Sequence, residues 1–151
     1  MKNKIICLFL IITILFVFTG CNKNNKINYN ENNLKDIKEV SDNVKVIIDE
    51  KEYLLNIEDN ETSKAFIKLL PQEFTMNDLN NNEKYIYLDK SLPTNSYQVG
   101  QINKGDVMLF GDNCLVIFYK SFDTSYSYTK IGHIDNLPDF DSNNISVRFE
   151  K

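Results

Sequence analysis

The feature of this sequence that most restricts its fold is a succession of short β-strand patterns separated by turn signals. Eight segments combine β-branched and aromatic residues with turns at both ends: residues 44–48, 53–57, 74–76, 84–88, 107–110, 114–119, 126–134 and 145–149. Polar or glycine-containing turns, such as residues 49–52 and 111–113, separate neighbouring segments. About eight short strands with regular turns predict a mainly-β domain whose sheet closes into a barrel.

A single amphipathic helix pattern interrupts the strands after residue 60. Asn60 can cap the first turn, and Glu61 favours the positive end of the helix dipole. Pro71 ends the pattern, because the residue before a proline avoids the helical region of backbone conformation. The apolar stripe consists of Ala65, Phe66, Leu69 and Leu70. We therefore predict one or two helices that cap the barrel, this helix foremost.

The N-terminus has the layout of a bacterial secretory signal that ends at a lipid-modified cysteine. Lys2 and Lys4 give a basic start, residues 5–18 are apolar, and the small residues 19–20 stand directly before Cys21. A cysteine at such a cleavage site becomes the first residue of the processed chain and carries a diacylglyceryl group. The layout predicts lipidation of Cys21.

An uncleaved membrane anchor is the alternative interpretation of residues 1–20. The apolar run is shorter than the ~20 residues that a helix needs to span a bilayer. Phe18 departs from the lipoprotein pattern, which usually has leucine or another aliphatic residue there. The overall layout favours a signal peptide, and two or three acyl chains would hold the processed protein stably on the extracytoplasmic side of the cell membrane.

The chain after Cys21 divides into a tether and a folded domain. Residues 21–43 are dominated by Asn, Lys and Glu, with isolated apolar residues. Such a segment cannot bury enough apolar surface to offset its ordering entropy, so we predict a flexible tether. Residues 44–151 then form the barrel domain, which is long enough for one hydrophobic core.

The charge of the chain excludes nucleic acid as a partner. The full sequence has a net charge of −4, and loss of Lys2 and Lys4 with the signal would make it −6. Arg148 is the single arginine, so the clustered bases that neutralise phosphates are lacking. The same charge opposes adsorption on anionic lipid, and contact with the membrane is therefore assigned to the lipid anchor.

The cysteine and histidine content predicts neither a disulfide nor a metal site. Cys7 would leave with the signal and Cys21 would carry lipid, so Cys114 has no partner in the processed chain. Cys114 lies in an apolar run, which predicts a buried thiol that packs as a small hydrophobe. With His133 as the one histidine, a zinc site is not predicted. No motif indicates another cofactor.

One acidic pattern imitates a calcium-binding loop. Its spacing fits the first, third, fifth and twelfth positions of such a loop, at Asp139, Asp141, Asn143 and Glu150. The sixth position is Asn144 where the loop requires glycine, and the alternation of residues 145–149 predicts a strand. We interpret the segment as a turn followed by a strand.

Six short motifs follow one another along the folded part of the chain. They are residues 65–71 (AFIKLLP), 74–79 (FTMNDL), 84–85 (KY), 100–109 (GQINKGDVML), 115–119 (LVIFY) and 128–132 (YTKIG). The Gly-Asp turn and the Tyr-x-x-Ile-Gly pattern are the most specific of them. In this order they resemble the small bacterial family of cyclophilin-like domains, which exported lipoproteins often carry. The resemblance covers residues 44–150 and implies an eight-stranded barrel capped by helix.

For function, the resemblance leaves alternatives open. The larger cyclophilin family isomerises Xaa-Pro bonds with an arginine placed beside an apolar groove, and Arg148 lies in the last strand pattern, where that family does not place its catalytic arginine. We therefore expect a binding module for a peptide or small ligand, or a surface for a partner protein. A peptidyl-prolyl isomerase acting on exported proteins is the alternative.

Tyr126, Tyr128 and His133 are the candidate residues of a ligand groove. The two tyrosines stand among serines and offer apolar area with a polar tip, but barrel packing with hydroxyls at the rim explains them equally well. Tyr119 is predicted to lie in the core. His133 has the acid–base range of a general base, yet no nucleophile motif accompanies it, which favours a partly exposed strand residue bonded to solvent or a carboxylate.

Overall fold

Nine β-strands and one short helix make up the part of the chain that the computed structural model describes, residues 43–151. In chain order they are β1 (Val44–Ile48), β2 (Lys51–Ile57), α1 (Glu61–Ile67), β3 (Gln72–Leu79), β4 (Glu83–Tyr87), β5 (Tyr97–Ile102), β6 (Asp106–Phe110), β7 (Cys114–Phe118), β8 (Phe122–Ile134) and β9 (Asn144–Glu150).

Eight of these strands form a closed antiparallel barrel. Their spatial order is β2, β1, β9, β3, β4, β7, β6, β8, and β8 pairs back with β2. The last strand, β9, is inserted between β1 and β3, where it pairs with both. The prediction of a mainly-β, closed barrel of about eight strands is confirmed, and the described residues contain one capping helix.

β8 is the longest strand, with 13 residues, and it belongs to two layers. Its second part pairs with β6 and β2 in the barrel wall, and its first part extends beyond the wall and pairs with β5. None of the eight predicted strand segments includes β5. A reason is that β5 is mostly exposed and is interrupted by a register shift at Gly100, whose φ of 73° lies in the left-handed region.

The main hydrophobic core fills the barrel, and α1 closes it. Asn60 caps α1 as predicted, because its side-chain oxygen accepts a hydrogen bond from the Ser63 amide at 2.9 Å. The Ser63 hydroxyl donates to the Ile131 carbonyl of β8 at 2.9 Å. Phe66 packs edge-on against Phe149 of β9, with ring centroids 5.2 Å apart. The helix is thereby fixed to the barrel by both polar and apolar contacts.

A second, smaller apolar cluster lies on the other face of the β6–β7 wall. Along β6 and β7, the side chains alternate between the main core and this cluster. Its buried members are Ile102, Met108, Cys114, Val116, Phe118 and Tyr128. The β5–β8 extension therefore covers part of the outer barrel surface and creates a second packed region.

Two glycines explain why the two most specific motifs of the sequence have their form. Gly105 has a φ of 98°, and a Cβ added to it would lie 2.2 Å from the Ile134 carbonyl oxygen. A Cβ on Gly132 would lie 2.3 Å from the Asn56 carbonyl oxygen. Both distances are far inside van der Waals contact, so these positions admit only glycine without movement of the backbone.

The predictions for the N-terminal segment lie outside the described residues. These are the signal peptide at 1–20, lipidation of Cys21 and nearly all of the tether at 21–43. Among residues 43–151, no helix combines the length and the apolar character needed to cross a membrane.

Candidate functional site

An open cavity of about 440 Å³ lies on the outer side of the barrel wall, between β4, β6, β7 and the extended part of β8. Five aromatic side chains line it: Tyr85, Tyr87, Phe110, Tyr126 and Tyr128. The rest of its lining consists of Leu79, Asn80, Glu83, Cys114 and Val116. We refer to this space as the aromatic cavity. Its size lies in the range of small-ligand sites, which are concave and mostly apolar with a few polar groups.

The rings of the aromatic cavity support one another through edge contacts. Phe110 and Tyr126 have centroids 6.0 Å apart at 86°, and Phe110 and Tyr128 have centroids 5.5 Å apart. Tyr128 in turn packs edge-on against Phe118 of the second cluster at 5.4 Å. On the opposite wall, Tyr85 and Tyr87 meet at 6.0 Å. The outer rings stay open to solvent, with Tyr126 63% and Tyr87 62% exposed, so the cavity presents apolar area that no part of residues 43–151 covers.

Glu83 places a carboxyl group among these rings. It is the first residue of β4 and is 8% exposed. Within residues 43–151, no hydrogen bond or ion pair reaches its side chain. Burial raises its pKa from 4.5 to about 7, and the charge of Asp78 adds to the effect. Glu83 is therefore a carboxyl group whose protonation changes near neutral pH.

The neighbouring Lys84 points to the opposite face of β4 and does not line the cavity. Successive strand residues alternate in direction, and Lys84 is fully buried. Its ammonium group donates to the Asp78 carboxylate at 2.7 Å and to the Ser142 carbonyl. Tyr119 donates to the same Asp78 oxygen at 2.6 Å. Burial opposes ionisation of Asp78, but the hydrogen bonds from Lys84 and Tyr119 outweigh it and lower the Asp78 pKa.

Cys114 lines the aromatic cavity as a buried thiol, as the sequence predicted. Burial raises the pKa of Cys114 to about 11, and the charge of Glu83 acts in the same direction. The pKa of Tyr128 is raised to about 12 by the same two causes. Both groups stay protonated at neutral pH, so Cys114 lacks the thiolate character of a nucleophile.

The structure brings together two of the three residues predicted to form the groove. Tyr126 and Tyr128 both line the aromatic cavity. They lie within β8 and do not flank a polar loop, since this strand begins at Phe122. Tyr119, predicted to be in the core, is 1% exposed.

The structure does not place His133 in the aromatic cavity with the two tyrosines. Five residues along β8 separate it from Tyr128, roughly 16 Å of extended chain, and it does not line the cavity. His133 Nδ1 lies 3.1 Å from the carboxylate of Asp106, and its Nε2 lies 3.5 Å from Asp135. It is a partly exposed strand residue beside carboxylates, as the alternative interpretation held.

The sequence analysis missed Glu83 and the aromatic residues opposite Tyr126. It began the strand pattern at residue 84, which left Glu83 in the preceding turn. The signal that points to the site is the alternation of Glu83, Tyr85 and Tyr87, which places three side chains on one face of a strand. Phe110 carries no local signal, because only the pairing of β6 with β8 brings it to Tyr126.

Arg148 lies away from the aromatic cavity. It is in β9, where its Nε is 3.1 Å from Glu150, and its side chain is half exposed. The aromatic cavity therefore contains no guanidinium group. Among the described residues, no group of three or more histidine, cysteine, aspartate or glutamate side chains is arranged to hold a metal ion. Asp139, from the calcium-like pattern, instead pairs with Lys104.

The fold and the cavity define a class of protein: a closed antiparallel β-barrel domain with one capping helix and an aromatic cavity on its outer wall. The chain belongs to the Cyclophilin-like family, whose sequence model matches residues 46–150. This match confirms the resemblance drawn from the sequence motifs. Neither the curated proteins nor the solved structures contain a significant match to the chain.

Proposed function

We propose that the protein is a lipid-anchored binding module of the extracytoplasmic cell surface, and that its aromatic cavity holds a peptide or a small ligand. The observation that carries the proposal is the aromatic cavity itself. It exposes Tyr87, Phe110 and Tyr126 around a concave space on a rigid wall. Large aromatic side chains in such a place supply contact area with little loss of side-chain entropy on binding.

The preorganisation of the rings supports binding further. The chain of edge contacts from Tyr126 through Phe110 and Tyr128 to Phe118 ties the open side of the cavity to the buried second cluster. A ligand that enters meets rings already in position, so it bears little cost for ordering the site.

The test of ligand binding is an NMR titration of residues 21–151 with Cys21 replaced by serine. The probes are capped tripeptides, Ac-Gly-Xaa-Gly-NH₂, in which Xaa covers the natural side chains. We expect saturable shifts at cavity residues and an affinity for the best probe that falls about tenfold in Tyr126→Ala, the loss typical of an aromatic contact. Tyr97→Ala is the matched control, because Tyr97 is similarly exposed but does not line the cavity. Equal losses in both variants, or no saturable shifts at cavity residues, would contradict the proposal.

A protease-coupled assay with proline peptides addresses the alternative isomerase function. We expect no turnover above the uncatalysed rate, since the aromatic cavity has no arginine to stabilise the twisted bond. If the wild type catalysed the isomerisation and Tyr126→Ala abolished it, the protein would be an enzyme and the proposal of a binding module would be wrong.

The membrane address rests on Cys21 and has its own test. Cells fed labelled palmitate should incorporate the label into the wild-type chain, and Cys21→Ser should lose the label and leave the membrane fraction. Retained labelling in Cys21→Ser would refute lipidation at Cys21 and would leave the proposal of ligand binding in the aromatic cavity unaffected.

A further inference from the structure

The position of Glu83 carries an inference about the ligand, which rests on the proposed binding function. The Glu83 residue is 8% exposed, and its carboxylate oxygens are not fully enclosed, so they are open to a ligand that enters the cavity. A carboxylate charge in an apolar lining is disfavoured unless a counter-charge lies near it. Glu83 has none within residues 43–151, although Lys84 is its direct neighbour. Lys84 is already bound to Asp78 and Ser142 on the other side of the wall.

The surroundings of Glu83 favour a positively charged group in the cavity. The five rings of the lining belong to four tyrosines and one phenylalanine, and the faces of such rings attract cations. No lysine or arginine is among the lining residues. The cavity of about 440 Å³ is therefore acidic and aromatic, and it contains no cation of its own.

We infer that the aromatic cavity recognises an alkylammonium group, with the Glu83 carboxylate as its counter-charge and the tyrosine and phenylalanine rings around its methylene or methyl groups. An ammonium on a peptide lysine and an ammonium on a small molecule share this chemistry. The overall acidity of the chain favours the approach of either one.

The recognition depends on pH in a defined direction. Three titratable groups act on Glu83: Asp78, whose charge reaches it from the other face of the wall, and Cys114 of β7 and Tyr128 of β8, which line the cavity with it. The thiol and the phenol stay protonated near neutral pH. Tyr85, Tyr87 and Tyr126 complete the polar lining. Since the Glu83 pKa is about 7 in the free protein, its ionised fraction increases between about pH 6 and pH 8. Affinity for an alkylammonium should increase with it, and binding should release a proton.

The experiment compares isosteric probes on residues 21–151 carrying Cys21→Ser, by calorimetry and NMR. Choline and 3,3-dimethylbutan-1-ol have the same shape and differ in charge. Ac-Gly-Lys-Gly-NH₂ and its Nε-acetyl form make the same comparison for a peptide. We expect at least one cation to bind about tenfold or more tightly than its neutral counterpart at pH 8. Tighter binding of choline would indicate a small-molecule ligand, and tighter binding of the lysine peptide would indicate a peptide ligand.

Glu83→Gln keeps the shape of the side chain and should abolish the preference for the cation and its pH dependence. Glu73→Gln, at an exposed position of β3, is the matched control and should retain both. Equal affinity for charged and neutral probes, or a preference that survives in Glu83→Gln, would overturn the inference. If neutral probes alone bind in the cavity, the inference fails and the binding module stands. If no probe of any kind shifts cavity residues, the proposed function fails as well.

Discussion

The β3–β4 hairpin carries two carboxylates, Asp78 and Glu83, that differ in their partners. Hydrogen-bond donors surround Asp78, whereas Glu83 lies among aromatic rings. Asp78 accepts hydrogen bonds from Lys84, from Tyr119 and from the Asn81 amide. Glu83 lies on the other face of the same wall among aromatic rings and has no such partner in residues 43–151. The pKa of Asp78 is lowered and that of Glu83 is raised to about 7.

This difference in hydrogen-bond partners means that Asp78 has a structural role, whereas Glu83 is available to bind a ligand. The donors around Asp78 occupy both of its oxygens, so the group ties β3 to Lys84 of β4 and to Tyr119. The Glu83 carboxylate makes no hydrogen bond or ion pair within residues 43–151, and its raised pKa means that its ionisation opposes folding. Residues that weaken the folded state in this way are found chiefly where a protein binds something.

The largest effect that tests this comparison comes from Lys84→Met. Loss of the ammonium leaves the Asp78 carboxylate, whose side chain is 16% exposed, without its cation, which should lower the free energy of unfolding by about 3 kcal/mol. Lys45→Met, at a half-exposed lysine that pairs with Glu150 at the surface, should cost far less, because solvent screens such a pair. Urea denaturation of both variants measures the difference.

The double variant Asp78→Asn/Lys84→Met sharpens the same prediction. It removes the stranded charge, so it should recover part of the loss seen in Lys84→Met. A double variant less stable than the single variant would show that the network stabilises the fold by packing and not by charge pairing.

Glu83→Gln should change how stability depends on pH. The folded-state pKa of about 7 exceeds the ordinary value of 4.5, so the folded wild type binds the extra proton between these values. Wild-type stability should therefore fall as pH rises through that window, by on the order of 2 kcal/mol. In Glu83→Gln this decline should be absent, while Glu73→Gln should follow the wild type. Parallel pH profiles for wild type and Glu83→Gln, measured by thermal unfolding from pH 4.5 to pH 8, would refute a raised Glu83 pKa.

The smallest effect on stability is expected when a single tyrosine hydroxyl is removed from either face of the β4 wall. Tyr119→Phe removes one donor to Asp78 and should cost about 1.5 kcal/mol, as expected for a hydrogen bond to a charged group. Tyr85→Phe, in the aromatic cavity, should alter stability by less than about 0.5 kcal/mol, since its hydroxyl has no hydrogen-bond partner within residues 43–151. If Tyr85→Phe lowered the free energy of unfolding more than Tyr119→Phe, the assignment would be contradicted. That assignment gives the Asp78 side of the wall a structural role and leaves the aromatic cavity for a ligand.

The barrel could be predicted from the sequence because most of its strands carry a recognisable local pattern of residues. The alternation in β1, the apolar run of β7 and the Asn60 cap all depend on neighbours within a few residues. β5 escaped prediction because it is exposed and interrupted at Gly100, so its strand character depends on pairing with β8. Tertiary pairing of that kind leaves no local pattern.

The candidate site was only half predictable for the same reason. Tyr126 and Tyr128 stood out because they are close together in the sequence. Glu83 and Phe110 reach the cavity through the pairing of β4 with β7 and of β6 with β8, which brings together residues far apart in the chain. His133 is close to Tyr128 in sequence, but the extended strand carries it out of reach, and proximity in sequence was the wrong guide there.

The insertion of β9 between β1 and β3 has a consequence for the order in which the domain is made. β1 and β9 are direct neighbours, with Lys45 opposite Glu150, so the wall has a gap until β9 has been synthesised and has paired with β1 and β3. Contacts between segments this distant form slowly. Loss of the seven residues of β9 would therefore separate β1 from β3, and a chain whose synthesis stops before β9 could not close the barrel.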